Sequence, residues 1–208
     1  MNREEFLINY WRYYNILEED FIKLTRCVRI CETNYKTCSD EIIKQFLSVT
    51  SEIENIAKEV CGFNVSDKSK KINHICNKIF DKIENIQSIE IIVKHTNNLR
   101  IKPFSEWNKS EPGELFWWKG YNEVKHNRLE KYESGNLRNL LNSLAALYFM
   151  ELYFAREIGT KTEDTDVPNS ISKLFEIVDF KTKHTVIGYE QYLMTDEDCE
   201  NIIDIFKN

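Results

Sequence analysis

The sequence predicts a mainly α fold: an up-and-down bundle of about five helices with a small β hairpin or arm and a small α/β C-terminal tail. Three observations carry this. Apolar residues recur at three-and-four spacing over much of the chain, the period of a helix with one buried face. Only six Gly and three Pro among 208 residues leave little material for a loop-rich all-β fold. Helix ends are also written into the sequence, most clearly at Ser39 and Gly62.

The first helix is predicted over residues 3–31, through Phe6, Tyr10, Tyr14, Leu17, Phe21, Leu24 and Val28. The second spans 39–61. Ser39 can accept from a free amide of the first turn, Asp40 and Glu41 suit the positive end of the helix dipole, and Gly62 provides a left-handed stop. A third fits about 67–85, on Ile72, Ile75, Cys76, Ile79 and Ile83. IEIIVKH and LRIKPF, separated by TNN, read as two strands of an inserted arm at about 89–104. Helical patterning resumes from 114 to 128. It continues from Asn136 to Ile158, where Gly159 is expected to end the helix. Residues 1–158 thus read as the bundle. Residues 159–208 read as a linker and extension with strands in FEIVDF and HTVIGYEQYLM and a short last helix after Thr195.

Composition narrows the functional classes. A net charge of −6 and a pI near 5.4 exclude a globally basic nucleic-acid or anionic-membrane binder, so any RNA contact is local. The N-terminus lacks a basic segment followed by an apolar stretch, and no run approaches the roughly 18 apolar residues of a membrane span. A cytoplasmic protein without membrane attachment is expected. The six cysteines lack paired CxxC knuckles and are read as reduced, buried thiols, with no metal and no cofactor. No Gly-rich phosphate loop, HExxH or GxSxG occurs, which argues against P-loop, zincin and α/β-hydrolase chemistry.

The stretch WWKGYNEVKHNR, residues 117–128, is the chemically dense one. At about 100° per residue, Trp117, Tyr121 and Val124 form an inward face beside Trp118 and Leu129. Lys125 and Arg128 fall in the same arc, and Asn122 and His126, four apart, line its edge. Cations laid among aromatic rings can gain cation–π energy and present an anion-binding edge; alternatively, their stems simply cover aromatic surface.

YNEVKH, residues 121–126, resembles the signature of HEPN domains: an Arg, then a polar residue, then a His, on the penultimate core helix of a small bundle. NLRNLLNSLAALYFMELYFARE resembles that family's apolar last helix, and SEIENIAKEVC its acidic early helix. The resemblance implies a homodimer whose motif helices face one cleft and bind RNA, with metal-independent endoribonuclease activity in bacterial toxin or phage-defence systems. An antitoxin or other protein partner goes with that setting. By position, His126 matches the catalytic histidine and Asn122 its polar companion. Histidine suits the task because imidazoles titrate near about 6.5 and exchange protons at cytosolic pH. Tyr121 stands where the family has arginine, and with Lys125, Arg128 and Lys119 it makes up the candidate RNA- and phosphate-binding set. Glu52 is a supporting candidate that could orient His126 or pair with Lys125. The alternative is a non-catalytic HEPN-like binding or scaffold module, or a plain helical interaction protein whose aromatic seam forms a dimer core.

Overall fold

A computed structural model describes residues 1–66, 72–107, 115–162, 172–178, 182–187 and 190–195, with backbone alone at 72–74, 160–162, 182–187 and 190–195. The chain is mainly helical with a small antiparallel three-stranded sheet.

The N-terminus opens with a reciprocal cap. The Asn2 side chain accepts from the Glu5 amide at 2.8 Å, and the Glu5 carboxylate accepts from the Asn2 amide at 2.9 Å. Helix α1 (Arg3–Phe6) continues through a π-helical turn, Leu7–Trp11, into α2 (Arg12–Leu24). The helix predicted to reach residue 31 therefore stops early. The Thr25 hydroxyl donates to the Ile22 carbonyl at 2.7 Å, a local bond that competes with helix continuation, and β-branched Val28 and Ile30 favour the non-helical chain that follows.

Helix α3 (Asp40–Val60) begins and ends at the predicted signals. Ser39 Oγ accepts from the Ile42 amide at 3.1 Å, and Gly62 takes a left-handed φ of 67°. Helix α4 (Ile72–Lys82) is shorter than expected within the described residues. The chain leaves it through left-handed Asn85 and a 3₁₀ turn at Ile86–Ser88.

The inserted arm is a hairpin of β1 (Ile91–Val93) and β2 (Arg100–Ile101), with Ile91 opposite Ile101. Its other edge is taken by β3 (Phe175–Ile177), with Val93 opposite Phe175, giving the order β2-β1-β3. Ile91, Val93, Ile101 and Phe175 are buried on one face, so period-two patterning fastens the sheet to the helices. Residues 172–174 are held by a buried carboxylate. Glu18 of α2 accepts from the Tyr14 hydroxyl, the Ser172 hydroxyl and the Lys173 and Leu174 amides. Part of the predicted extension is therefore docked on the bundle.

Helices α5 (Phe116–Asn127) and α6 (Leu137–Thr162) complete the bundle. Every residue from 139 to 154 is buried, which makes α6 the central helix, packed chiefly on α3. Gly159 does not end α6; the helix runs on to Thr162. A mid-helix glycine costs about 1 kcal/mol, less than a well-anchored helix can absorb. Strands β4 (Thr182–Ile187) and β5 (Glu190–Thr195) pair antiparallel across the stretch read as strand, a pairing the sequence does not announce, and the last predicted helix lies outside the described residues. Among the described residues no helix is long and apolar enough to cross a membrane.

The cysteines divide. Cys61 and Cys76 are buried, their thiols pushed up to about 11 by burial. Cys27 is exposed and Cys31 and Cys38 are half-exposed, contrary to the expectation of burial. The loss of helix after Leu24 explains this for Cys27 and Cys31, since it removes the periodicity that would have turned them inward.

Candidate functional site

Helix α5 is fixed at its start by the Glu106 carboxylate, which accepts from the Phe116 amide at 3.1 Å and complements the positive helix end. Trp117, Trp118, Gly120, Tyr121 and Val124 are its buried residues. The Trp117 indole donates to the Pro103 carbonyl at 2.7 Å, tying α5 to the chain just after β2. At Gly120 a Cβ would collide with the Asn139 amide, so glycine allows α5 to approach α6 closely.

Tyr121 is buried. Its ring meets Phe46 edge-on at 6.4 Å and Trp118 at 5.4 Å. Lys125 lies over that ring at 5.0 Å and donates to the tyrosine hydroxyl at 3.1 Å, a bond that raises the lysine pKa. The aromatic–cation contact expected at Lys125 is therefore present, but its place is not the predicted one. Lys125 is exposed at the rim of the buried face rather than inside it. Arg128 lies beyond the end of α5 and approaches Asp40 at 3.8 Å, while Leu129 is 88% exposed instead of packed. Helical extrapolation past Asn127 placed both residues wrongly, because the chain turns there.

Lys119 and His126 are exposed and Asn122 is half-exposed. At about 100° per residue these three share the outward strip of α5, facing away from Trp117 and Val124. The strip is thus a surface, where the wheel had put Asn122 and His126 at the edge of the buried face. Glu123 at its border accepts from the Ser134 hydroxyl at 2.5 Å.

Glu52 meets neither His126 nor Lys125. It is buried, accepts from the Asn55 amide at 3.1 Å, and burial raises its pKa. The titratable groups it acts on are Glu151 of α6 and Tyr10 of the π-helical turn, whose proton loss the Glu52 charge disfavours. Glu151 is fully buried, and neither of its carboxylate oxygens has a hydrogen-bond partner among the described residues. Burial first, and the Glu52 charge second, hold its pKa well above the ordinary carboxylate value. Glu151 has a signal in the sequence, a single acid inside the apolar run LAALYFMELYF, but not a motif.

The site is therefore a rigid helix with a polar outward strip, backed by an aromatic core. The chain matches no family model, no curated protein and no solved structure.

Proposed function

We propose that this chain is a HEPN-like RNA-binding domain working as a homodimer, with the outward strips of two α5 helices lining one cleft. The observation that carries the reading is the grouping of Lys119, Asn122 and His126 on the exposed side of a helix locked by its aromatic side. A proton-transfer group must reach the phosphodiester, and an exposed imidazole on a fixed helix meets that need. In the cleft His126 takes the proton of a ribose 2′-hydroxyl, whose oxygen attacks the adjacent phosphorus to form a 2′,3′-cyclic phosphate and expels the 5′-oxygen, which takes a proton from water to leave a 5′-hydroxyl; no metal is required. Lys119 and Lys125 supply positive charge beside the phosphate. The setting that goes with this chemistry is a bacterial toxin or phage-defence system, with an antitoxin as a further partner.

A second reading, a non-catalytic binding module, is favoured by one observation: Tyr121 sits in the core where the family's arginine would be, so that guanidinium is missing. Incubation with single-stranded RNA in excess chelator separates the two. Nicking should occur, and His126→Ala should lower its rate by about 10²–10⁴-fold with melting temperature unchanged, because the side chain is exposed. Equal cleavage by the variant would overturn the assignment of His126. RNA that is bound but left intact by the unsubstituted chain would select the second reading.

A further inference from the structure

A cavity of about 620 Å³ opens between the end of α2, residues 29–32, the turn joining β1 to β2, and the residues leading into β3. Its floor is aliphatic: Ile22, Ile30, Leu99 and Leu174. Its polar rim is dominated by Arg29, Lys94, Lys173 and His95, against one acid, Glu32.

Two properties make this a built site. The walls are held in place. Glu18 clamps the Lys173 and Leu174 amides, the Lys94 amide donates to the Leu174 carbonyl at 2.7 Å, and the Lys94 ammonium donates to the Ser172 carbonyl at 2.9 Å. The β1–β2 turn is closed by Thr96, whose hydroxyl donates to the Val93 carbonyl at 2.6 Å and accepts from the Leu99 amide at 3.1 Å. The rim cations also lack a carboxylate partner among the described residues. Arg100 and Lys102 on the same hairpin pair with Glu90, and Lys82 pairs with Glu157. Arg29, Lys94 and Lys173 form no ion pair among the described residues.

The size falls within the roughly 300–1,000 Å³ of small-molecule sites. The lining carries no Phe, Tyr or Trp, and its apolar side chains are Ile22, Ile30, Leu99 and Leu174, so the apolar part of the ligand is aliphatic. We propose that this cavity binds a small amphiphilic anion, its aliphatic chain on the Ile22–Leu174 side and its carboxylate or phosphate head between Arg29 and Lys173.

Cys31 also lines the cavity, and its hydrogen bond with the Thr33 hydroxyl lowers its thiol pKa, favouring the reactive thiolate. It thus serves as a local reporter, and tryptic cleavage after Arg26, Arg29 and Lys36 separates it from Cys27 and Cys38.

The test uses the full chain with octanoate and octyl phosphate as probes, and octanol and inorganic phosphate as chain-only and head-only controls. Calorimetry should show binding of at least one octyl anion, with both controls at least about tenfold weaker. Arg29→Ala and Lys173→Ala, both at exposed positions, should each weaken that binding by about tenfold. The preferred octyl anion identifies the head group. Iodoacetamide labelling read peptide by peptide should show Cys31 protected by the bound anion and Cys27 unprotected. Failure of both anions to bind, equal binding of octanol, undiminished binding by the variants, or unprotected Cys31 would each overturn the proposal.

Discussion

Trp117→Ala should lower stability by about 3–5 kcal/mol, the range for removing a fully buried large aromatic. For a chain of this size each kcal/mol moves the melting temperature by about 2–4 °C, so a fall of roughly 10 °C is expected in thermal denaturation. The Trp117 side chain is 1% exposed and packs edge-on against Trp118 at 6.1 Å. Its removal opens a cavity between α5 and the bundle and also deprives the Pro103 carbonyl of its 2.7 Å donor. Trp117→Phe separates the two contributions, because it keeps most of the ring volume and loses the N–H. Its cost should lie well below that of the alanine variant. A Trp117→Ala protein that melts with the unsubstituted one would show that α5 is not anchored by its aromatic side.

The second large effect is stabilising. Glu151→Gln should raise stability by an amount that grows with pH. The folded-state pKa of Glu151 lies well above the ordinary value of 4.5. The folded chain therefore holds a proton that the unfolded chain releases, and the protein loses stability as pH rises above about 4.5 toward the folded pKa. Within that window the loss approaches about 1.4 kcal/mol per pH unit. Below it, Glu151 is neutral in both states and the glutamine variant should gain little. Glu151→Met, which also removes the unpartnered carboxyl oxygens, should add about 1–3 kcal/mol at neutral pH. Melting curves of the three proteins from pH 5 to 8 read this directly. A stability difference between the unsubstituted chain and Glu151→Gln that stays constant with pH would contradict the burial-driven shift.

Much of the helical framework was legible because local chemistry and global packing agree there. Ser39, Asp40, Glu41 and Gly62 delimit α3 in the sequence as they do in space. The hairpin at Ile91–Val93 and Arg100–Ile101 was legible for the same reason. Errors arose where periodicity was extended past a break that tertiary packing decides. After Leu24 and after Asn127 the chain turns, so the helix predicted to residue 31 ends early and the helical wheel misplaces Arg128 and Leu129. Gly159 is the reverse case, a stop signal overridden by the helix it was meant to end. The pairing of β3 with β1 and the buried Glu18 clamp join residues more than 80 positions apart, and no short-range pattern encodes such contacts. At the site, Tyr121 and Val124 were legible as core, whereas the outward placement of Asn122 and His126 depended on where the axis of α5 lies against α3 and α6.

The central claim is that the outward strip of α5 contacts RNA, and the salt dependence of RNA affinity measures it most directly. Fluorescence anisotropy of a labelled single-stranded RNA, titrated over a salt series, should give an affinity that falls with salt, with a slope of about −0.7 per phosphate contact. Lys119→Glu, an exposed substitution, should weaken binding at every salt concentration and reduce the slope by about one contact, with the fold unchanged. Binding with the same affinity and slope in Lys119→Glu, or no RNA binding by the unsubstituted chain, would contradict the account.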